Sequence, residues 1–232
     1  MRGRRIVHYG RACAFRRRAE HMSRFAEVRF LVSAASPRQF PADVGAEVAF
    51  AGRSNAGKSS AINAITQRRG LARTSKTPGR TRLLNFFELE PAKRLVDLPG
   101  YGYASVPPAE RRAWLPLLDA LRTRTSLQGL FVIVDARRGL TAGDDALLEW
   151  TGARQRVHVL LSKADKLNRG DAAAVLRAAT ARLSARGSAQ LFSALTGTGV
   201  RQAQDTLAAW LACSVSVEAQ TEGGIKNPGG FV

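Results

Sequence analysis

The sequence predicts an α/β fold: a mostly parallel six-stranded sheet, with one antiparallel strand and helices on both faces. Three observations carry that expectation. Short apolar runs alternate along the chain with stretches of helical periodicity. Two of the runs, 130–135 (LFVIVD) and 157–162 (VHVLLS), are continuously apolar, as strands buried on both faces are. Hydrophobic residues make up 45% of the 232, enough to bury one sizeable core.

Each element has its own signal. Residues 47–52 (EVAFAG) read as a strand, and 59–67 as the start of a helix with Ile62 and Ile65 on one side. Runs 83–89 (LLNFFEL) and 93–98 (KRLVDL) read as paired strands joined at the Pro91 turn. The stretch 107–123 opens with Pro-Pro and spaces Trp114, Leu118 and Leu121 on one helical face. The two apolar strands follow, at 130–135 and 157–162. Further helical patterns cover 143–152, 171–185 and 199–212, with a short last strand at 190–193. Asp144 and Asp145, at a helix start, read as groups that favour the helix dipole. Trp114, Trp150 and Trp210 read as packing residues, and His158, within a strand, as structural.

The two ends differ from the middle. Residues 1–21 carry seven Arg and one Glu without a long apolar run. They read as an Arg-rich transit peptide, as a loose basic arm, or as a mis-called start ahead of a true start at Met22. The tail 213–232 is rich in Gly and polar residues. The expected domain is therefore 22–212. Cys13 and Cys213 lie near opposite ends with no metal-binding spacing, and no stretch approaches 18 apolar residues. A reducing cytoplasmic setting and a monomer are the defaults.

Lys and Arg total 36 against 18 Asp and Glu, a formal net charge of +18. That excludes an acidic disordered chain and points to a polyanionic partner. Arg and Ala are both abundant, so biased composition accounts for part of the excess. Six cations and no acid gather at 68–82: Arg68, Arg69, Arg73, Lys76, Arg80 and Arg82.

The chemistry concentrates at strand ends. Residues 52–59 read Gly52-Arg53-Ser54-Asn55-Ala56-Gly57-Lys58-Ser59, between a strand and a helix. Glycines let backbone N–H groups turn around a phosphate, and the helix N-terminus adds unsatisfied donors and a positive dipole end. Lys58 supplies a charge for the β and γ phosphates, and Ser59 a hydroxyl for Mg²⁺. Asp97-Leu98-Pro99-Gly100 ends another strand. The carboxylate can hold a metal-bound water, and the Gly100 amide can reach a γ-phosphate. Ser162-Lys163-Ala164-Asp165 ends a third. Its carboxylate can accept from guanine N1–H and the N2 amino group, which adenine cannot match, while the Lys163 stem covers the base. Phe192-Ser193-Ala194 follows the last strand, where a backbone N–H can meet guanine O6. Ligands of open α/β sheets sit at this edge.

Taken in order, these residues resemble a translation-factor-class P-loop GTPase with its Ras-like fold. More narrowly, the chain is similar to the EngB (YihA/YsxC) family of bacterial ribosome-assembly GTPases. The carrying residues are GRSNAGKSSAINAI at 52–65, LARTSKTPGRTRLLNFFEL at 71–89, VDLPGYGYA at 96–104, ERRAW at 110–114, SKADKL at 162–167 and FSA at 192–194. The resemblance implies a Mg²⁺-dependent GTPase with GTP or GDP as ligand. Its expected partners are the large ribosomal subunit precursor and rRNA, and normal cell division and septation require it. Within Gly79-Arg80-Thr81-Arg82-Leu83, which the family places at the nucleotide, Thr81 meets Mg²⁺ and the γ-phosphate. Ser162 departs from the usual Thr or Asn but keeps a hydroxyl.

Ras-like enzymes orient the attacking water with a Gln after D-x-x-G; here the residue is Tyr101. Slow intrinsic hydrolysis, aided by a partner or an ion, is expected. In some related GTPases an Asn at the place of Asn55 coordinates K⁺; the alternative is that Asn55 only stabilises the loop turn. The cationic stretch, ordered by Thr81, would couple GTP to a phosphate-rich surface, unless it is a solvated charged loop. Two other classes stay open: a P-loop ATPase or kinase, and a non-catalytic nucleotide-dependent RNA-binding module.

Overall fold

Seven apolar or half-apolar runs pair into a single sheet: β1 (Arg29–Ala34), β2 (Ala46–Gly52), β3 (Leu84–Glu90), β4 (Lys93–Asp97), β5 (Leu127–Asp135), β6 (Arg156–Ser162) and β7 (Gly187–Leu191). The computed structural model describes residues 25, 27–72, 83–101, 116–151 and 154–212. Outside them lie 1–21, Met22, Trp114, both cysteines, the tail 213–232, and Arg73, Lys76, Gly79, Arg80, Thr81 and Arg82. The sheet order is β1-β3-β4-β2-β5-β6-β7. β3 alone runs against the other strands, through antiparallel pairings with β1 and β4. The apolar runs predict six strands; β1 is the seventh.

The α-helices among the described residues include α1 (Lys58–Thr66), α2 (Ala142–Trp150), α3 (Arg169–Leu183) and α4 (Val200–Ala212). A helical segment also covers 116–122. One sheet face packs against α1 and α4 through Ile62, Ile65, Leu207 and Leu211. The other packs against 116–122, α2 and α3 through Leu117, Leu121, Leu148 and Leu183. Phe50 on β2 stacks on Phe131 of β5 with centroids 4.8 Å apart. Trp210 of α4 lies against Gly129, where a Cβ would come within 2.5 Å of its ring. Among the described residues, no helix is long and apolar enough to cross a membrane.

Two buried polar groupings fix the sheet. At the N-terminal end of β2, Glu47 is fully buried. It accepts from Arg94 Nη1 at 2.7 Å and from Arg124 Nε and Nη2 at 2.7 and 2.8 Å. The guanidiniums also donate to carbonyls of Pro41, Ala42 and Val44, tying down the loop before β2. On β6, His158 is 2% exposed and bonds Ser188 and Gln190 of β7. The Gln190 side-chain N–H donates to the Gly199 carbonyl, so its oxygen faces His158 Nε2, which therefore carries the ring proton. Burial holds His158 below its ordinary pKa, against the opposing Gln190 hydrogen bond.

Parallel register aligns the strand ends. Phe50 pairs with Asp97, Gly52 with Ile133, Asp135 with Ser162, and Leu161 with Leu191. The four motifs that follow these strands therefore emerge along one edge of the sheet.

Candidate functional site

The phosphate loop turns where β2 ends. Ala56 N–H donates to the Arg53 carbonyl at 2.9 Å, which closes the turn. Asn55 takes a left-handed backbone at φ 65, and Gly57 at φ 99 caps α1. A side chain at Gly57 would be strained there. The first-turn amides of a helix lack acceptors within the helix, and those of α1 open at this loop.

Lys58 begins α1, and its ammonium pairs with the Asp97 carboxylate at the end of β4. Both side chains are mostly buried. Burial pushes the Asp97 carboxyl above its ordinary range, against the pull of Lys58 and a hydrogen bond from Asn85. The DLPG turn lies on the loop: Leu98 N–H donates to the Phe50 carbonyl at 2.9 Å, and a Cβ at Gly100 would come within 2.8 Å of Ser54 Oγ.

The third motif is joined to the first. The Ser162 hydroxyl donates to the Ala56 carbonyl. Lys163 Nζ donates to the Asn55 carbonyl at 2.6 Å and to Asp135 Oδ2 at 3.0 Å. Ser162 thus has a bonding role to which a hydroxyl suffices. Asp165 accepts from the Ser193 hydroxyl at 2.6 Å, and this bond holds its carboxyl below the ordinary carboxylate range. The Ala164 N–H donates to the Phe192 carbonyl at 3.1 Å, fastening the third motif to the fourth. The Ser193 N–H donates to the Thr198 carbonyl at 2.9 Å and is thus engaged within its own loop.

The structure thus brings together residues 52–59, Asp97 to Gly100, 162–165 and 192–194. Leu83 is described and directly precedes β3, while Gly79, Arg80, Thr81 and Arg82 lie outside the described residues. A hollow of about 290 Å³ adjoins the phosphate loop and is lined by Arg53, Asn55, Asp135, Arg137, Thr141 and Lys163, among others. A larger hollow of about 510 Å³, between 136–140 and α3, touches no phosphate-loop residue.

Sequence reasoning missed one participant, Asp135, and the side-chain contact of Tyr101, which it read only as the residue in place of a glutamine. Asp135 ends β5 and accepts from Arg137 and Lys163; these bonds, Arg137 foremost, keep its carboxyl low. It carried the same signal as Asp97, a carboxylate closing an apolar strand. Tyr101 donates to Asp144 Oδ1 at 2.5 Å, a contact between distant segments with no local signal. Burial, and secondarily Asp144, pushes its phenol well above the ordinary value, so it stays a donor.

Residues 47–163 match a family model described as 50S ribosome-binding GTPase. A relative named "Probable GTP-binding protein EngB" from Azoarcus sp. (strain BH72) is 50% identical over 196 residues, covering 82% of this chain and 94% of that one. The protein of the same name from Methylococcus capsulatus is 49% identical over 190 residues, covering 79% and 90%. The chain belongs to the EngB family. A solved structure described as a probable GTP-binding protein engB superposes with a TM-score of 0.59 at 20% identity, covering 72% of this chain and 99% of that one. A bacterial selenocysteine-specific elongation factor gives 0.53 at 18%, covering 73% and 29%. These two likenesses concern the fold, which is that of a P-loop GTPase.

Proposed function

We propose that this protein, a GTPase of the EngB family, uses a Mg²⁺-dependent GTP cycle to act on a large-subunit ribosomal precursor. The observation that carries the nucleotide reading is the pairing of Asp165 with Ser193, on a motif bonded to the phosphate loop. An ionised, oriented carboxylate selects guanine, whose N1–H and N2 amino group both donate, and disfavours the ATPase alternative.

The donor set suits Mg²⁺. Ser59 and Asp97 offer hard oxygens, and the Asp97 position already takes a cation, the Lys58 ammonium. Bound there, with Thr81 as a further ligand, Mg²⁺ would neutralise charge on the phosphate oxygens. Lys58 turns from Asp97 to the phosphates, the Gly100 amide meets the γ-phosphate, and Asp165 with Ala194 fixes the base. Hydrolysis is slow without a partner or K⁺ held at Asn55. Equal turnover in KCl and NaCl would sink the K⁺ proposal.

The ribosomal reading rests on the family model's description and on the cations at 68–82, of which Arg68 and Arg69 are described and exposed. GTP orders this stretch through Thr81 so that it grips rRNA, and hydrolysis lets go. The working unit is a cytoplasmic monomer built on residues 22–212, with 1–21 and 213–232 as arms. Impaired division and septation follow from faulty translation when it is lost. The test is sedimentation with ribosomal subunits. Co-sedimentation with the large subunit that is stronger with a GTP analogue than with GDP supports the reading; equal or absent binding refutes it.

A further inference from the structure

Tyr101 is fixed at both its backbone and its side chain. Its backbone bridges Arg53 in parallel fashion. The Ser54 N–H donates to its carbonyl at 3.1 Å, and its own N–H donates to the Gly52 carbonyl at 3.3 Å. Its hydroxyl donates to Oδ1 of Asp144, in the first turn of α2, at 2.5 Å. Asp144 is 1% exposed. Its other oxygen accepts two bonds of 2.7 Å from the Thr141 N–H and hydroxyl, the box that caps α2. Among the described residues Tyr101 is the only donor to Oδ1. A buried carboxylate oxygen left without a donor is costly, so the phenol is held where it is. Arg53 approaches the same Thr141 hydroxyl at 3.4 Å. Phosphate loop, DLPG turn and α2 thus form a closed ring of contacts.

We infer that Tyr101 is a positioning residue: through Asp144 it holds the DLPG turn, and with it the Gly100 amide, against the phosphate loop, and it does not orient the attacking water. This rests on GTP hydrolysis at the site and goes further, since position 101 otherwise reads only as a missing glutamine. The ring explains why a large phenol stands there. It reaches a neighbouring helix that a glutamine at the same place would leave for the water.

The test is single-turnover GTP hydrolysis by the full chain in excess over nucleotide. Wild type, Tyr101→Phe, Asp144→Ala and the double variant are compared, each at a temperature where circular dichroism shows it folded. Tyr101→Phe keeps the ring and removes only the tether. Misplacement of a group that acts in the transition state slows chemistry, and each single variant is expected to be about tenfold slower. The double variant is expected to be no slower than Asp144→Ala alone, because the two residues act as one unit. Tyr101→Phe slowed while Asp144→Ala keeps the wild-type rate would overturn the inference and return Tyr101 to the water. Multiplying losses, or lower melting temperatures with unchanged rates, would overturn it as well. A wild-type chain that hydrolyses no GTP would remove the GTPase reading itself, a different failure.

Discussion

Removing the charge of Glu47 is the sharpest test of how the sheet is held. In Glu47→Gln the buried Arg94 and Arg124 lose their shared counter-ion, and one of the two oxygens that accept their bonds of 2.7 to 2.8 Å becomes an N–H donor facing a guanidinium; Asp43, 3.8 Å from Arg124, is the carboxylate that stays. Among the described residues Arg94 Nε is already buried without a partner. The carbonyls of Pro41, Ala42 and Val44 keep part of the hydrogen bonding but none of the charge balance. Breaking a buried ion network from one side costs about 3–5 kcal/mol. At about 2–4 °C per kcal/mol for a domain of this size, the melting temperature should fall by about 6–20 °C. Differential scanning calorimetry of the nucleotide-free protein measures it. Glu47 and Gly52 are five residues apart on β2, about 17 Å at strand spacing. GDP affinity at a temperature where both proteins are folded should therefore be unchanged. Replacing all three residues together, Glu47→Leu with Arg94→Met and Arg124→Leu, should restore most of the loss. A fall of less than 2 °C for Glu47→Gln would refute the claim that this triad is a stability element.

Other expectations follow from the same geometry. Asp165→Asn should weaken GDP binding by at least about a hundredfold, because two charge-assisted bonds to guanine are lost, and xanthosine diphosphate should regain part of it; titration with both nucleotides decides this. His158 has its folded pKa below the ordinary 6.5, so its neutral burial favours the fold above that pH and stability is lost as pH falls below it. Melting curves at pH 7.5 and 5.5 should show a drop that His158→Gln reduces. Gly129→Ala should destabilise by about 1–3 kcal/mol, since the new methyl meets the Trp210 ring, and a urea melt followed by tryptophan fluorescence reads it. Changing Arg68, Arg69 and Arg73 to Ala should weaken GTP-state binding to ribosomal particles and flatten its salt dependence; an unchanged slope would count against the switch-loop proposal.

The central strands and the phosphate loop were legible because their signals are local. Continuous apolar runs can only be buried on both faces, and G-x-x-x-x-G-K-S needs a strand before it and a helix after it. β1 was not legible. Its sequence RFLVSA sets Phe30, Leu31 and Val32 in a row, and the register shifts between Phe30 and Val32, so no alternation survives. Phe30 and Leu31 are exposed on that edge strand. β5 begins at Leu127, earlier than its apolar run, because Leu127 and Gly129 pair with β2; Gln128 and Gly129, the latter lying against Trp210, interrupt the apolar pattern there. β7 begins at Gly187 and ends at Leu191, upstream of the expected 190–193, because polar Ser188 and Gln190 are there to bond His158. Within the site, Lys58, Asp97 and Asp165 could be named from spacing. Their partners Asn85 and Ser193, and the contacts of Tyr101 and Asp135, depend on which strands become neighbours, and that is a property of the folded chain.

The bonds from Ser162 and Lys163 to the phosphate loop have a thermodynamic consequence. On the proposed guanine-nucleotide reading, they make the base end and the phosphate end of the site two jaws of one caliper, set at a fixed gap. A guanosine or a pyrophosphate alone engages one jaw and bears its own cost of immobilisation. A guanine nucleotide spans both, and its second end binds at the effective concentration that the first provides. Discrimination is then made on the length of the ligand as well as on its chemistry.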